Sequence, residues 1–204
     1  MDRDEERRVI DGVLAGNTQD FEIFVLQYQT PIYNLALRMV GNEEDAYDLT
    51  QDAFIRAFNS LESFRGDCKF SVWLYRLTSN LCRDFLRARR RRKVVSLTYF
   101  TSDEGEELEF EIPDERYCPH TALERQELRD AVHRGLSRLP DDQREILLLR
   151  EIGGMSYDEI ALTLSLEPGT VKSRIFRARK KLCTILMRDG NFKEFQTSKK
   201  TKEV

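Results

Sequence analysis

Apolar residues recur at spacings of three and four along most of the chain, the period that gathers them into one stripe of an α-helix. The sustained alternation that would mark a half-buried strand does not occur, so the chain is predicted to be all-α. A first helix is expected from about Asp4 to Ala15, stopped by Gly16-Asn17, and a second over Phe21 to Gln29 with Phe24, Val25 and Tyr28 inward. Pro31 is expected to open a third helix that reaches Val40, where Gly41-Asn42 ends it. The next runs from Glu43 to about Leu61, with Ala46, Leu49, Ala53, Phe54, Ala57 and Leu61 facing inward. After a loop from Glu62 to Phe70, a long helix begins at Ser71 with Leu74, Leu77, Leu81, Phe85 and Ala88 as its buried stripe.

The period then lapses over residues 94–119. A structureless stretch of that length is uncommon inside one compact domain, which predicts a flexible linker. Two small helical domains follow, one over 1–93 and one over 120–187, with a polar, Lys-rich tail at 188–204. In the second domain, Thr121-x-x-Glu124 reads as a capping box for a helix closed by Pro140, and Asp141 to Ile152 as another, ended by Gly153-Gly154. Ser156-x-x-Glu159 starts a short helix with Ile160 and Ala161 inward, supported by Leu164 and Leu166. Pro168 suits the first turn of the next, where its missing N–H costs nothing. Two helices around a tight turn form a helix-turn-helix.

Charge sharpens this picture. On the last helix Val171, Ile175, Ala178 and Leu182 make one narrow apolar stripe, while six Lys or Arg residues crowd positions 172–181. A capped helix with that much base on its open face fits duplex DNA better than an ordinary solvated face. On the helix from Ser71, Arg76, Asn80, Arg83 and Arg87 line the side opposite the apolar stripe, and residues 87–93 read Arg-Ala-Arg-Arg-Arg-Arg-Lys. Phe64 and Phe70 flank the loop Arg65-Gly66-Asp67-Cys68-Lys69, and Trp73 sits at the stripe's edge. Aromatics beside cations suit unstacked bases, each stacking contact being worth about 1–3 kcal/mol. Phe70 is expected in the core; for Trp73 core and nucleic-acid roles both stay open.

The helix from Glu43 has the reverse character. Its outer face carries Asp48, Gln51, Asp52 and Asn59 around an outward Ile55, a small apolar centre with a polar rim. That acidic face would repel DNA and suggests a protein partner. The linker is acidic too, with eight acids and no base from Asp103 to Glu115, so the formal net charge of −3 conceals strong segregation. It reads as a solvated tether.

Other classes fit less. No apolar run is long enough to span a bilayer, and the N-terminus Met-Asp-Arg-Asp-Glu-Glu-Arg-Arg is unlike a signal peptide, so a cytoplasmic protein is expected. The four cysteines, Cys68, Cys82, Cys118 and Cys183, form no CxxC pair, and no metal or other cofactor is expected. A DNA-processing enzyme would need clustered carboxylates or a nucleophile with its base. The two histidines, His120 and His133, lie near no such cluster in sequence, so no enzyme and no catalytic residue are expected. A free-standing helix-turn-helix regulator would explain residues 121–187 but leave the Ile55 face and the Arg76–Arg87 track without a role.

Two blocks of residues carry a more specific resemblance. Asp45 to Phe64, with Asp-Leu-Thr-Gln-Asp-Ala-Phe-Ile-Arg-Ala-Phe inside it, then Phe64-Arg-Gly-Asp and Trp73-Leu-Tyr-Arg, resemble region 2 of bacterial sigma factors. Leu139-Pro140, Arg144-Glu145, Ser156-Tyr-Asp-Glu-Ile-Ala161 and Gly169-Thr-Val-Lys-Ser-Arg174 resemble region 4. With no folded region between them, the chain resembles the extracytoplasmic-function (ECF) group of the sigma-70 family over roughly residues 5–187. The resemblance implies a factor that binds core RNA polymerase, directs it to promoters and promotes melting. Asp45, Asp48, Gln51, Asp52 and Ile55 would dock on the β′ clamp, with the β flap as a further contact. Phe64, Arg65, Lys69, Trp73, Arg76, Asn80 and Arg83 would capture the −10 element. Lys172, Ser173, Arg174, Phe176, Arg177 and Arg179 would read the −35 duplex, Arg179 through the DNA backbone. The linker would thread toward the polymerase cleft, and an anti-sigma factor, often membrane-anchored in this family, would hold the protein inactive.

Overall fold

The computed structural model describes residues 1–96 and 119–189, and within them the side chains of 1–92 and 127–189. The acidic linker, Cys118, His120, the Thr121–Glu124 capping box and the tail beyond Asp189 therefore lie outside the described residues or side chains. Among the described residues every regular element is helical, as the spacing predicts.

Helices α1 (Arg3–Leu14), α2 (Phe21–Val40), α3 (Glu43–Asn59) and α4 (Phe70–Ser96) form the N-terminal group. Helix α2 is continuous where the sequence predicted a break at Pro31. Pro31 deprives the Gln27 carbonyl of an amide donor, but Phe24 before it and Ile32, Leu35 and Ala36 after it are all buried, and packing on both sides holds the axis together. Gly41 closes α2 at φ 74°, a left-handed position that suits glycine. Asn42 then caps α3, its Oδ1 accepting from the Asp45 amide at 2.9 Å.

All six inward positions expected on the helix from Glu43, from Ala46 to Leu61, are buried, although α3 ends at Asn59 and Leu61 falls in a short 3₁₀ turn. Helix α4 opens on Phe70, fully buried and stacked on Phe24 at 3.8 Å between ring centroids, with Phe21, Tyr28, Phe64 and Trp73 around it. Glu6 of α1, itself buried, accepts from the Phe70 amide at 3.2 Å and from the Tyr28 hydroxyl at 3.4 Å. A carboxylate there complements the partial positive charge of the α4 N-terminus.

Helices α5 (Pro119–Ser137), α6 (Asp141–Glu151), α7 (Tyr157–Leu164) and α8 (Pro168–Arg188) form the C-terminal group. The predicted Ser156–Glu159 capping box is present in both directions, at 3.2 and 2.7 Å, and Pro168 occupies the first turn of α8. Val171, Ile175 and Ala178 are buried and Leu182 half-buried, the stripe read from the sequence. Gly135 lets α5 lie close on α8, since a Cβ there would stand 2.8 Å from Leu186 Cδ2.

The two groups pack on each other. Helices α5 and α6 lie against α2, and buried residues of both groups belong to one continuous core. Arg144 is the bridge: its Nη1 donates to the Met39 carbonyl at the end of α2, while Nε and Nη2 serve the carbonyls of Leu136, Ser137 and Leu139. One guanidinium thus satisfies the open end of α5 and ties it to α2.

Candidate nucleic-acid interface

The basic track of α4 is built as its sequence suggests on one side and otherwise on the other. Asn80 and Arg87 are exposed and Arg76 and Arg83 partly so, each held at helical spacing over the stripe of Leu74 and Leu81. Arg56 of α3 joins Asn80, Arg83 and Arg87 around a cleft of about 320 Å³ floored by Leu77, and Arg90 and Arg91 extend it along the helix. Asp84 is the acid in both clefts. The trough is therefore mainly cationic, with Leu77 as the apolar side chain of its first cleft, a surface suited to a polyanion.

Trp73 takes up the core position, one of the two places that the sequence left open for it. Its ring is only 6 % exposed, packed 5.2 Å from Phe64 and 5.6 Å from Phe70, so it does not offer a face to an unstacked base in this conformation. The cause is that α4 is covered on more than one side: Val72, Trp73, Tyr75, Thr78, Ser79 and Cys82 are buried as well as Leu74 and Leu81 of the predicted stripe, whose Leu77, Phe85 and Ala88 are half-buried. Phe64 is half-buried on the same cluster, and Arg65 and Lys69 of the loop are exposed. Burial pushes the Cys68 thiol up, with nearby Arg76 opposing, and pushes Cys82 to about 12, so neither is a ready thiolate.

The face of α3 matches its reading. Ile55 is 56 % exposed, Asp48, Gln51 and Asp52 are exposed beside it, and Asp45 is half-exposed with Arg89 3.7 Å away. Tyr47, also exposed, adds apolar area on the same helix that the sequence reading had not singled out.

On α8, Lys172, Ser173, Phe176, Arg177 and Arg179 are exposed and Arg174 is half-exposed. Phe176 stands 68 % open. Arg177 lies back along the helix onto Ser173, at 3.3 Å to its carbonyl and 3.4 Å to its hydroxyl, free to swing outward. Arg179 is occupied differently: it pairs at 2.5 Å with Glu151, the last residue of α6. Behind it Arg150 lies over the Tyr157 ring at 5.0 Å and donates to the Met155 carbonyl, fixing the turn between α6 and α7.

One group of functional interest escaped the sequence reading. Glu145 of α6, 6 % exposed, accepts from the Ser79 hydroxyl of α4 and pairs with Arg83 at 3.0 Å. Burial raises its carboxyl above the usual range, against the opposing pull of Ser79 and Arg83. Its sequence signals were its place in the Arg144-Glu145 pair and beside the apolar run Ile146 to Leu149, and neither says that it is buried against α4.

The family model for sigma-70 region 2 matches residues 24–92 and that for sigma-70 region 4 matches residues 129–182. The chain is 37 % identical to the RNA polymerase sigma-H factor of Pseudomonas aeruginosa, over 88 % of this chain and 92 % of that one. It is 38 % identical to the ECF RNA polymerase sigma-E factor of Escherichia coli K12, over 84 % and 88 %. Among solved structures it resembles RpoE of Bartonella quintana in complex with the anti-sigma factor NepR, with a TM-score of 0.67 at 25 % identity over 83 % of this chain and 98 % of that one. It also resembles CnrH in complex with the cytosolic domain of CnrY, with a TM-score of 0.63 at 27 % identity over 91 % and 99 %. With regions 2 and 4 matched in order and relatives aligned over most of its length, the chain belongs to the sigma-70 family of RNA polymerase sigma factors, in the ECF group.

Proposed function

We propose that the chain is a promoter-specificity subunit that acts only on core RNA polymerase. The single observation that supports this best is the separation of three exposed faces of different chemistry: the acid-rimmed Ile55 of α3, the cationic trough of α4 and the basic face of α8. A free-standing regulator needs the last alone. Asp45, Asp48, Gln51, Asp52 and Ile55 dock on the β′ clamp; residues 1–93 thereby carry core binding and −10 capture. Arg65, Lys69, Arg76, Asn80 and Arg83 hold the −10 strand, with Phe64 and Trp73 as the aromatic support beneath the loop. Residues 120–187 bind the −35 duplex and the β flap, with Lys172, Ser173, Arg174, Phe176 and Arg177 toward the groove and Arg179 toward phosphate, once it leaves Glu151.

Energetics require the larger partner. Opening about a dozen base pairs costs on the order of 17 kcal/mol at roughly 1.4 kcal/mol per stacked step. One or two captured bases return only about 2–6 kcal/mol. The chain has no GxxxxGK[ST] phosphate loop with which to draw on ATP. The protein accordingly has no catalytic role of its own and works in the cytoplasm, where polymerase is; among the described residues no helix is long and apolar enough to cross a membrane. Control by an anti-sigma factor is supported by the two solved relatives, RpoE in complex with the anti-sigma factor NepR and CnrH in complex with the cytosolic domain of CnrY.

The test is promoter binding and run-off transcription with purified chain, with and without core polymerase. Sequence-specific binding and initiation are expected only with core. Equally tight specific binding by the chain alone would replace this reading with that of a regulator.

A further inference from the structure

Helix α1 carries a charged residue where its inner stripe calls for an apolar one. Positions 6, 10 and 13 share a face and are buried, Ile10 and Val13 as apolar residues should be, and Glu6 with them at 5 % exposure. A carboxylate in that place is costly unless its oxygens are satisfied. They are, by two other helices: Oε2 accepts from the Phe70 amide at 3.2 Å and Oε1 from the Tyr28 hydroxyl at 3.4 Å.

Phe70 ends the loop Arg65–Lys69 that the proposed function places on the −10 strand, and it is the first residue of α4. The Lys69 carbonyl accepts the opening bond of that helix, from the Trp73 amide at 3.2 Å, so Lys69 holds the capping position. A lysine side chain only donates and cannot cap open amides. Phe70 is fully buried, which keeps water from its amide, and the acceptor comes instead from α1, 64 residues away. The other end of the loop is closed locally: the Phe64 amide donates to the Leu61 carbonyl at 3.0 Å and the Ser63 hydroxyl to the Ser60 carbonyl at 2.6 Å. Between these ends Gly66 turns at φ 74°, and Arg65 and Lys69 are exposed.

We propose that Glu6 is a positioning residue for −10 recognition: through the Phe70 amide it fixes the exit of the loop, so that Arg65 and Lys69 meet the captured strand in one geometry. Being buried, it acts through Phe70 and not on nucleic acid. Were packing its only task, an apolar side chain like that of Ile10 would fill the stripe without the cost of desolvating a charge. A carboxylate also complements the positive end of α4, and with both oxygens engaged it is held in one place. The proposal rests on the sigma-factor reading for the ligand, whereas the anchoring of the loop is a property of the free chain.

The experiment therefore reads the loop with and without nucleic acid. In the free full-length chain, hydrogen–deuterium exchange over residues 64–73 should quicken about tenfold in Glu6→Ala. It should stay within about twofold of wild type in Glu6→Gln, whose amide oxygen still accepts from Phe70. With core polymerase, heparin-resistant complexes are selected from a duplex pool randomised at −35 and −10 and sequenced, giving the ratio of best to worst base at each position. At −10 that ratio should fall about fivefold in Glu6→Ala and recover in Glu6→Gln, while core affinity and the −35 preference stay at wild-type values. A loss of stability alone lowers the active fraction and leaves the ratio unmoved. Should Glu6→Ala lose helical signal, Glu6→Asp, shorter by one methylene and out of reach of Phe70, gives the same two readings. Unchanged exchange or an unchanged −10 ratio in the folded variant, or Glu6→Gln as impaired as Glu6→Ala, overturns the proposal. A wild-type holoenzyme with no base preference at −10 would instead remove the sigma reading, and the exchange result would still decide whether Glu6 anchors the loop.

Discussion

Among single residues, Ile55 and Arg177 test the two most different surfaces. Ile55 is exposed and makes no core contact, so Ile55→Asp should leave thermal stability unchanged while weakening core binding. Burying the side chain is worth about 1.5–3 kcal/mol, so a loss of at least roughly tenfold in affinity for core is expected by competition binding. Unaltered affinity would remove Ile55 from the interface. Arg177→Ala should cost about 1–3 kcal/mol at a single −35 base pair if the guanidinium makes a bidentate contact. A uniform loss over all promoter variants would make it a phosphate contact. The positions of these residues were legible because helical spacing alone separates an outward from an inward side chain. Trp73 was not legible in this way: it stands at the edge of a stripe, and only the packing of Phe64 and Phe70 turned its ring inward.

For the elements, caps and punctuation carried most of the information. The Ser156–Glu159 box is local chemistry, satisfied within four residues, and the structure reproduces it. Helix α7 has only eight residues and holds α8 at its working angle, so Ser156→Ala should destabilise the fold by about 1 kcal/mol, read by denaturant titration. It should also weaken −35 binding without touching DNA; a variant of wild-type stability would show that α7 is held by tertiary contacts alone. Pro31 shows the limit of local rules. A proline normally ends or begins a helix, yet α2 runs through it because Phe24 and Ile32, on either side, are both wholly buried. Likewise α4 was read as a helix with one buried stripe, and it has a second, through Tyr75, Ser79 and Cys82, that faces α6.

In the whole molecule the Glu145 seam makes stability depend on pH in a defined direction. Its carboxyl is raised by burial, so the folded state holds the proton more tightly than the unfolded chain, and ΔG of unfolding falls as pH rises through the raised value. The groups facing it are Ser79, Cys82, Arg83 and Arg87 of α4. Melting temperatures of wild type and Glu145→Gln should therefore be similar near about pH 4.5 and diverge toward about pH 8, the wild type becoming the less stable. A constant difference would mean that Glu145 is not in an environment unfavourable to its charge. The sequence by itself determined the helices, their apolar faces, the helix-turn-helix and the division of charge, because each follows from the helical period and from contacts within a few residues. Only the tertiary structure decided that the two groups of helices share a core, that Arg144 ties them through Met39, and that Glu145 covers Arg83. Those pairings join residues more than sixty positions apart, and a spacing rule that spans one or two helical turns holds no record of them.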